Sequence, residues 1–209
     1  MGHRGPDSSG FLVKEKWSLG HLRLSIVDLD KRAAQPFEKG NSAIVFNGEI
    51  YNHKALKQQF FSDDEFTTTS DTELAISMLN LLGESALQHF NGMFAIGWLD
   101  KFGNMWVFRD RFGVKPVYYM QKGSTFYFSS EIKPLLNLSD RRTFDEKALR
   151  SLLEDRASDY GEKSGFDGIA SVEAGHRLRI TADGQIEKSK WYRGIDRSTP
   201  AASSEEAVL

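Results

Sequence analysis

Gly92-Met93-Phe94-Ala95-Ile96-Gly97-Trp98-Leu99, followed by Met105-Trp106-Val107-Phe108, Val117-Tyr118-Tyr119-Met120 and Phe126-Tyr127-Phe128-Ser129, are the stretches that decide the fold. Each is short and rich in β-branched and aromatic residues, which fit a pleated, half-buried surface. Turn formers separate them at Asp100–Asn104 and Gln121–Ser124. Such spacing predicts antiparallel hairpins rather than helices.

Outward from this centre the elements alternate. Upstream, Leu19–Leu29 sets Leu22, Leu24 and Ile26 against Arg23 and Ser25, the rough alternation of a strand. Ser42–Asn52 predicts a second strand, with Ala43, Ile44, Val45 and Phe46 running into the turn formers Asn47-Gly48. Ser70 precedes Asp71-Thr72-Glu73, so it is an N-cap with Glu73 at the capping-box position. Leu74, Met78, Leu79 and Leu82 follow at helical spacing, and Gly83 stops the helix. Downstream, helices are expected over Glu131–Asn137 and around Asp145–Glu154, with a polar loop at Asp155–Asp167. A closing hairpin joins Gly175–Ile180 to Gln185–Trp191 through Ala182-Asp183-Gly184. Hairpins bracketed by helices indicate a layered α+β domain. Residues 1–197 form this domain. Ser198–Glu206 reads as a linker, and the last residues begin a further helical element.

Bulk properties narrow the function. The 209 residues carry 27 Lys and Arg against 29 Asp and Glu, a net charge of -2, so neither nucleic acid nor membrane is an expected partner. Neither a signal-peptide core nor a bilayer-length apolar run is legible. The chain contains no Cys, which excludes disulfides and thiolate metal sites and suits the cytoplasm. There is no Gly-rich phosphate loop and no Ser-Gly-Gly nucleotide motif, hence no readable ATP site. His3 and His21 lack metal-ligand spacing and read as structural or surface residues.

Several residues admit two readings. Asn47 with the N–H of Gly48 could donate twice to one oxyanion, though Asn-Gly alone is a common turn. Arg23 could hold a carboxylate in bidentate fashion, or form a surface ion pair. Asp71 could receive an ammonium, or serve only the helix start. Glu49 could share that ammonium, or be solvated.

Ordered strings decide between them. His3-Arg4-Gly5-Pro6-Asp7-Ser8-Ser9-Gly10, Leu19–Leu29, Ala34-Gln35-Pro36, Asn47–Asn52, Ser70-Asp71-Thr72-Glu73, Gly92-Met93-Phe94-Ala95, Arg109–Tyr119 and Ser130-Glu131-Ile132-Lys133 occur in this order. Together they resemble the class II, N-terminal-nucleophile glutamine amidotransferase domain of glutamine-hydrolysing asparagine synthetases. The likeness covers most of residues 3–136 and continues more weakly through Val172–His176 and Trp191-Tyr192.

This resemblance implies a sandwich of two antiparallel sheets between helices. It implies that Arg23 binds the α-carboxylate of glutamine, that Asp71 and Glu49 bind its α-ammonium, and that Asn47 and Gly48 form the oxyanion hole. The implied nucleophile is an N-terminal Cys activated by its own amine. The implied partner is a C-terminal synthetase domain that uses ATP and Mg to activate aspartate, with a homodimer left open. No cofactor is implied for the glutamine domain itself. Since these residues hold neither the Cys nor the synthetase motifs, the expectation is a domain truncated at both ends and inactive alone. With its nucleophile-bearing strand missing, it would also be poorly stable. The alternatives are a non-catalytic scaffold of a β-lactam synthetase-like relative and a stand-alone glutamine-binding module.

Overall fold

Alternation in three central strands sorts large side chains onto one face and smaller ones onto the other. Ile44 and Phe46 of β4 (Ser42–Ile50), Phe94, Ile96 and Trp98 of β5 (Gly92–Leu99) and Phe108 of β6 (Met105–Arg109) share one buried cluster. Ala43, Ala95, Leu99, Met105 and Val107 belong to another. The computed structural model that carries these elements describes residues 5, 7–14, 16–23, 31–140, 142–146, 150 and 162–194.

Preceding β4 are β1 (Ser8–Lys14), β2 (Trp17–Arg23) and β3 (Phe37–Lys39). Following β6 are β7 (Tyr118–Lys122), β8 (Thr125–Ser129), β9 (Ala170–Ser171), β10 (His176–Ile180) and β11 (Ile186–Lys190). A six-stranded antiparallel sheet runs in the order β11-β10-β6-β5-β4-β3. On its large-residue face lie α1 (His53–Phe60) and α2 (Asp71–Leu82), which contributes Leu74, Ala75, Ile76, Met78 and Leu79 to the cluster. Each fully buried Leu, Ile, Phe or Met contributes about 1.5–3 kcal/mol relative to exposure, so this face is the main source of stability.

The other face meets a second layer, made of the sheet β8-β7-β9 and the β1-β2 hairpin. Leu19, Phe126, Phe128 and Val117 pack there against the six-stranded sheet. Beyond it, α3 (Ile132–Leu138) covers β7 and β8 through Leu135, Met120 and Tyr127. The layers are therefore helix, sheet, sheet, helix, as expected. A groove of about 430 Å³ separates β2 from β8. Consecutive residues of both strands, Trp17–Gly20 and Thr125–Phe128, line it, so their edges border it rather than their faces.

Three expectations shift. The strand beginning at Leu19 starts earlier, at Trp17; residues 24–29 of it lie outside the described residues. The Asn47-Gly48 pair is not a turn, because β4 continues through it to Ile50. Ser70 does cap α2, its side chain accepting from the Glu73 N–H at 3.2 Å. Glu73 does not reciprocate to Ser70, for its carboxylate is taken by the N–H groups of Thr67 and Thr68. The closing hairpin matches β10 and β11. The helix around Asp145–Glu154 falls largely outside the described residues, as do the linker and the final helical element. Among the described residues no helix is long and apolar enough to cross a membrane, a statement that does not bear on β-barrels.

Candidate functional site

The site grows from one edge of β4. In an antiparallel ladder, residues alternate between those bonded to one neighbour and those facing the other. The N–H and C=O of Phe94 turn toward Asp110, whose N–H donates to the Phe94 carbonyl at 2.9 Å and whose Oδ2 accepts from the Phe94 N–H at 3.2 Å. Gly48 lies opposite Phe94. That rung is therefore not bonded across, and the even-numbered residues Ile44, Phe46, Gly48 and Ile50 present their N–H groups to the far edge.

Strand β3 covers that edge only at its start, where Phe37 pairs with Ile44. At Phe46 the Gln35 side chain takes over: Oε1 accepts from the Phe46 N–H at 2.6 Å and Nε2 donates to the Phe46 carbonyl at 3.2 Å. At Ile50 the N–H donates to Asp71 Oδ2 at 3.0 Å. Gly48 falls between these two occupied positions, and among the described residues no partner stands on its N–H. Its φ is +152°, and a Cβ there would lie 2.0 Å from the Met93 carbonyl oxygen. Only glycine lets the strand keep this course.

Asp71 is the first residue of α2 and 5% exposed. Burial pushes its carboxyl pKa up and the negative charge of Glu49 adds to that, opposed by the Ile50 bond and by nearby His53. The structure thus brings the two expected ammonium ligands within electrostatic reach of each other. A cation beside the buried Asp71 carboxylate would ease its ionisation.

Arg23 ends β2, opposite Ser8, and is 9% exposed. It is not a surface residue. Its charge helps hold the imidazole of His21 neutral, after desolvation, which is the larger cause; a bond to the Phe46 carbonyl opposes both. His21 therefore connects Arg23 to the same edge of β4. Among the described residues no hydrogen-bond partner stands on its buried Nδ1. Asn47 pairs with Ala95, and alternation directs it with Ala43 and Val45 toward the second layer.

Sequence reasoning quoted Gln35, Asp110 and His21 inside strings but gave none of them a place at the site. Asp110, 1% exposed, accepts from four backbone N–H groups: Phe94 and Lys115 on Oδ2, Phe112 and Val114 on Oδ1. Beside it, the Arg109 guanidinium donates to the carbonyls of Gly113, Lys115 and Val172. The Arg109–Lys115 string is thus a self-organised loop that fixes Phe94, the residue across from Gly48. Trp191 seals it, stacking on Phe94 and donating from Nε1 to the Arg109 carbonyl at 3.0 Å. The signal for these roles was an acid before turn residues; its four targets are spread over two elements and are not legible locally.

The arrangement offers an unoccupied N–H for a developing oxyanion, paired carboxylates for a cation and a buried guanidinium for an anion.

Residues 1–192 match the family described as the glutamine amidotransferase domain. Asparagine synthetase [glutamine-hydrolyzing] 1 of Bacillus subtilis is 34% identical over 196 residues, covering 91% of this chain and 30% of its own length. Amidase chyE of Penicillium rubens is 33% identical over 215 aligned residues, 100% of this chain and 31% of its own. The chain spans about a third of the length of these curated relatives. Among solved structures, the glutamine phosphoribosylpyrophosphate amidotransferase of B. subtilis, complexed with ADP and GMP, superposes with a TM-score of 0.59 at 21% identity, covering 86% of this chain and 36% of that one. At that identity the likeness concerns the fold.

Proposed function

Because this chain belongs to the glutamine amidotransferase domain family, we propose that it binds glutamine as the ammonia-supplying half of a cytoplasmic asparagine synthetase-type enzyme. Arg23 takes the α-carboxylate, Asp71 with Glu49 takes the α-ammonium, and Asn47 with the Gly48 N–H receives the oxyanion. The released ammonia amidates aspartate at an ATP- and Mg-dependent synthetase domain. The observation that carries the reading is the open edge of β4 at Gly48, set two residues from the N–H that Asp71 holds.

With no Cys among these residues, the nucleophile comes from outside them, and the chain alone releases no glutamate. The groove between the edges of β2 and β8 supports this, since it is bordered as a strand site is. A scaffold without glutaminase activity has less support, because the buried Asp71 carboxylate, with the charge of Glu49 acting on it, is costly to ionise unless a cation uses it.

Calorimetry with L-glutamine tests the reading. Heat of binding that Arg23→Ala and Asp71→Asn each abolish is the expected result. A folded wild-type chain that gives no heat at millimolar glutamine would overturn it.

A further inference from the structure

We propose that Gln35 is a positioning residue that ends strand pairing short of Gly48 and ties the oxyanion edge to the ammonium carboxylate. The inference rests on the glutamine reading for its purpose, and on hydrogen bonds alone for its geometry.

Strand β3 pairs antiparallel with β4, Phe37 opposite Ile44. Continued in the same register, the backbone of residue 35 would face Phe46 and that of Ala33 would face Gly48. Gly48 would then lose its open N–H to a ladder bond. The chain does not continue so. Residues Lys31–Ala33 form a 3-10 helix instead of extending β3. In place of the backbone, the primary amide of Gln35 supplies the Phe46 rung. An amide side chain has the same donor and acceptor as a peptide group, so it completes one rung and offers nothing to the next.

The same amide reaches α2. Its Nε2 also donates to Thr72 Oγ1 at 3.2 Å, and Thr72 adjoins Asp71. One side chain thus spans the strand edge and the helix start, whose relative position sets the distance from Gly48 to the carboxylate. The backbone of Gln35 is itself held closely: a Cβ at Gly10 of β1 would lie 2.0 Å from the Gln35 carbonyl oxygen. Hairpin, strand edge and helix meet at this residue. His21 approaches the Phe46 carbonyl from β2, so the acceptor that Gln35 uses is shared with the strand bearing Arg23.

Two substitutions separate the parts. Gln35→Met keeps length and removes every hydrogen bond; Thr72→Val removes only the tie to α2. Amide hydrogen exchange by NMR on the ¹⁵N-labelled chain, with glutamine calorimetry on the same samples, provides the readout. In Gln35→Met, exchange at Phe46 should rise about tenfold or more, as loss of one hydrogen bond predicts, while Ile96 and Trp98 at the sheet centre stay unchanged. Glutamine affinity should fall at least about tenfold. In Thr72→Val, Phe46 protection should persist while affinity falls by a smaller factor. If Gln35→Met leaves Phe46 exchange unaltered, or raises exchange uniformly through β5, Gln35 is not a local positioning residue. Should Gln35→Met unfold the chain, Thr72→Val decides: unchanged affinity with intact protection overturns the tie. A wild type that binds no glutamine overturns the functional reading instead, and the exchange comparison still judges Gln35.

Discussion

Replacing Asp110 by Asn removes one negative charge and almost no volume, yet it should bring the domain close to unfolding. The carboxylate accepts from the N–H groups of Phe94, Phe112, Val114 and Lys115 at 2.9–3.2 Å. Asn has one acceptor oxygen, so in either orientation two of those four N–H groups face an NH2 group instead. Phe94 is buried and Lys115 half-buried while Phe112 and Val114 are exposed residues, so the loss is greatest where the NH2 faces the first two, and each hydrogen bond to a charged acceptor is worth about 1.5–3 kcal/mol. The predicted loss is therefore about 3–6 kcal/mol. Domains have only about 5–15 kcal/mol of stability in total. At roughly 2–4 °C per kcal/mol for a chain of this size, the melting temperature should drop by about 6–24 °C. Circular dichroism melts, with urea titration at constant m, measure it. A drop below about 2 °C would refute the claim that Asp110 nucleates this loop. Restoring the fold with a ligand would not rescue that claim, because Asp110 touches none of the proposed ligand groups.

The other predictions concern the site. Gly48→Ala places a methyl 2.0 Å from the Met93 carbonyl oxygen at φ +152°, so it should cost more than about 3 kcal/mol or abolish soluble expression; wild-type stability in urea would contradict it. Asp71→Asn should stabilise the ligand-free protein at pH 7 while removing glutamine binding. The sign follows from its raised pKa: the folded state binds the proton more tightly than the unfolded state, so the cost is full above the folded pKa, diminishes as pH falls below it and is gone below the unfolded pKa. Urea midpoints at pH 7 and pH 4 test this, and an unstabilised variant at pH 7 counts against it. For His21 the shift is downward, so the unfolded state takes the proton first and stability falls as pH drops below about 6.5, until the folded group also titrates. His21→Gln should flatten that slope; an unchanged slope assigns it to other groups.

How far the sequence led depended on whether a property was local. The hairpins over Gly92–Ser129 were legible because period-two alternation and turn residues sit within a few positions of each other. So was α2, whose cap and stop are adjacent to its ends. Asn47-Gly48 misled because the dipeptide that favours a turn also suits a strand that must pass within 2.0 Å of its neighbour's backbone, and only the register separates the two cases. Helix α1 and strands β1 and β3 lacked strong periodicity and went unread. At the site, local pattern left Arg23, Asn47, Gly48, Glu49 and Asp71 each with two readings, and only the resemblance chose between them. Gln35 was out of reach because its partners, Phe46 and Thr72, lie 11 and 37 positions away.

The open edge of β4 is also a ruler. Successive N–H groups on one side of a strand repeat every two residues, about 6.8 Å. Gly48 marks one end of that interval and Ile50, with Asp71 on it, marks the other. A ligand that must reach both ends is measured by the pitch of the sheet rather than by the walls of a cavity. On the proposed reading, selectivity by length would reside in backbone register, which side-chain substitutions around the site adjust very little. Relatives that took a longer or shorter donor would have to shift a strand, or abandon one of the two marks.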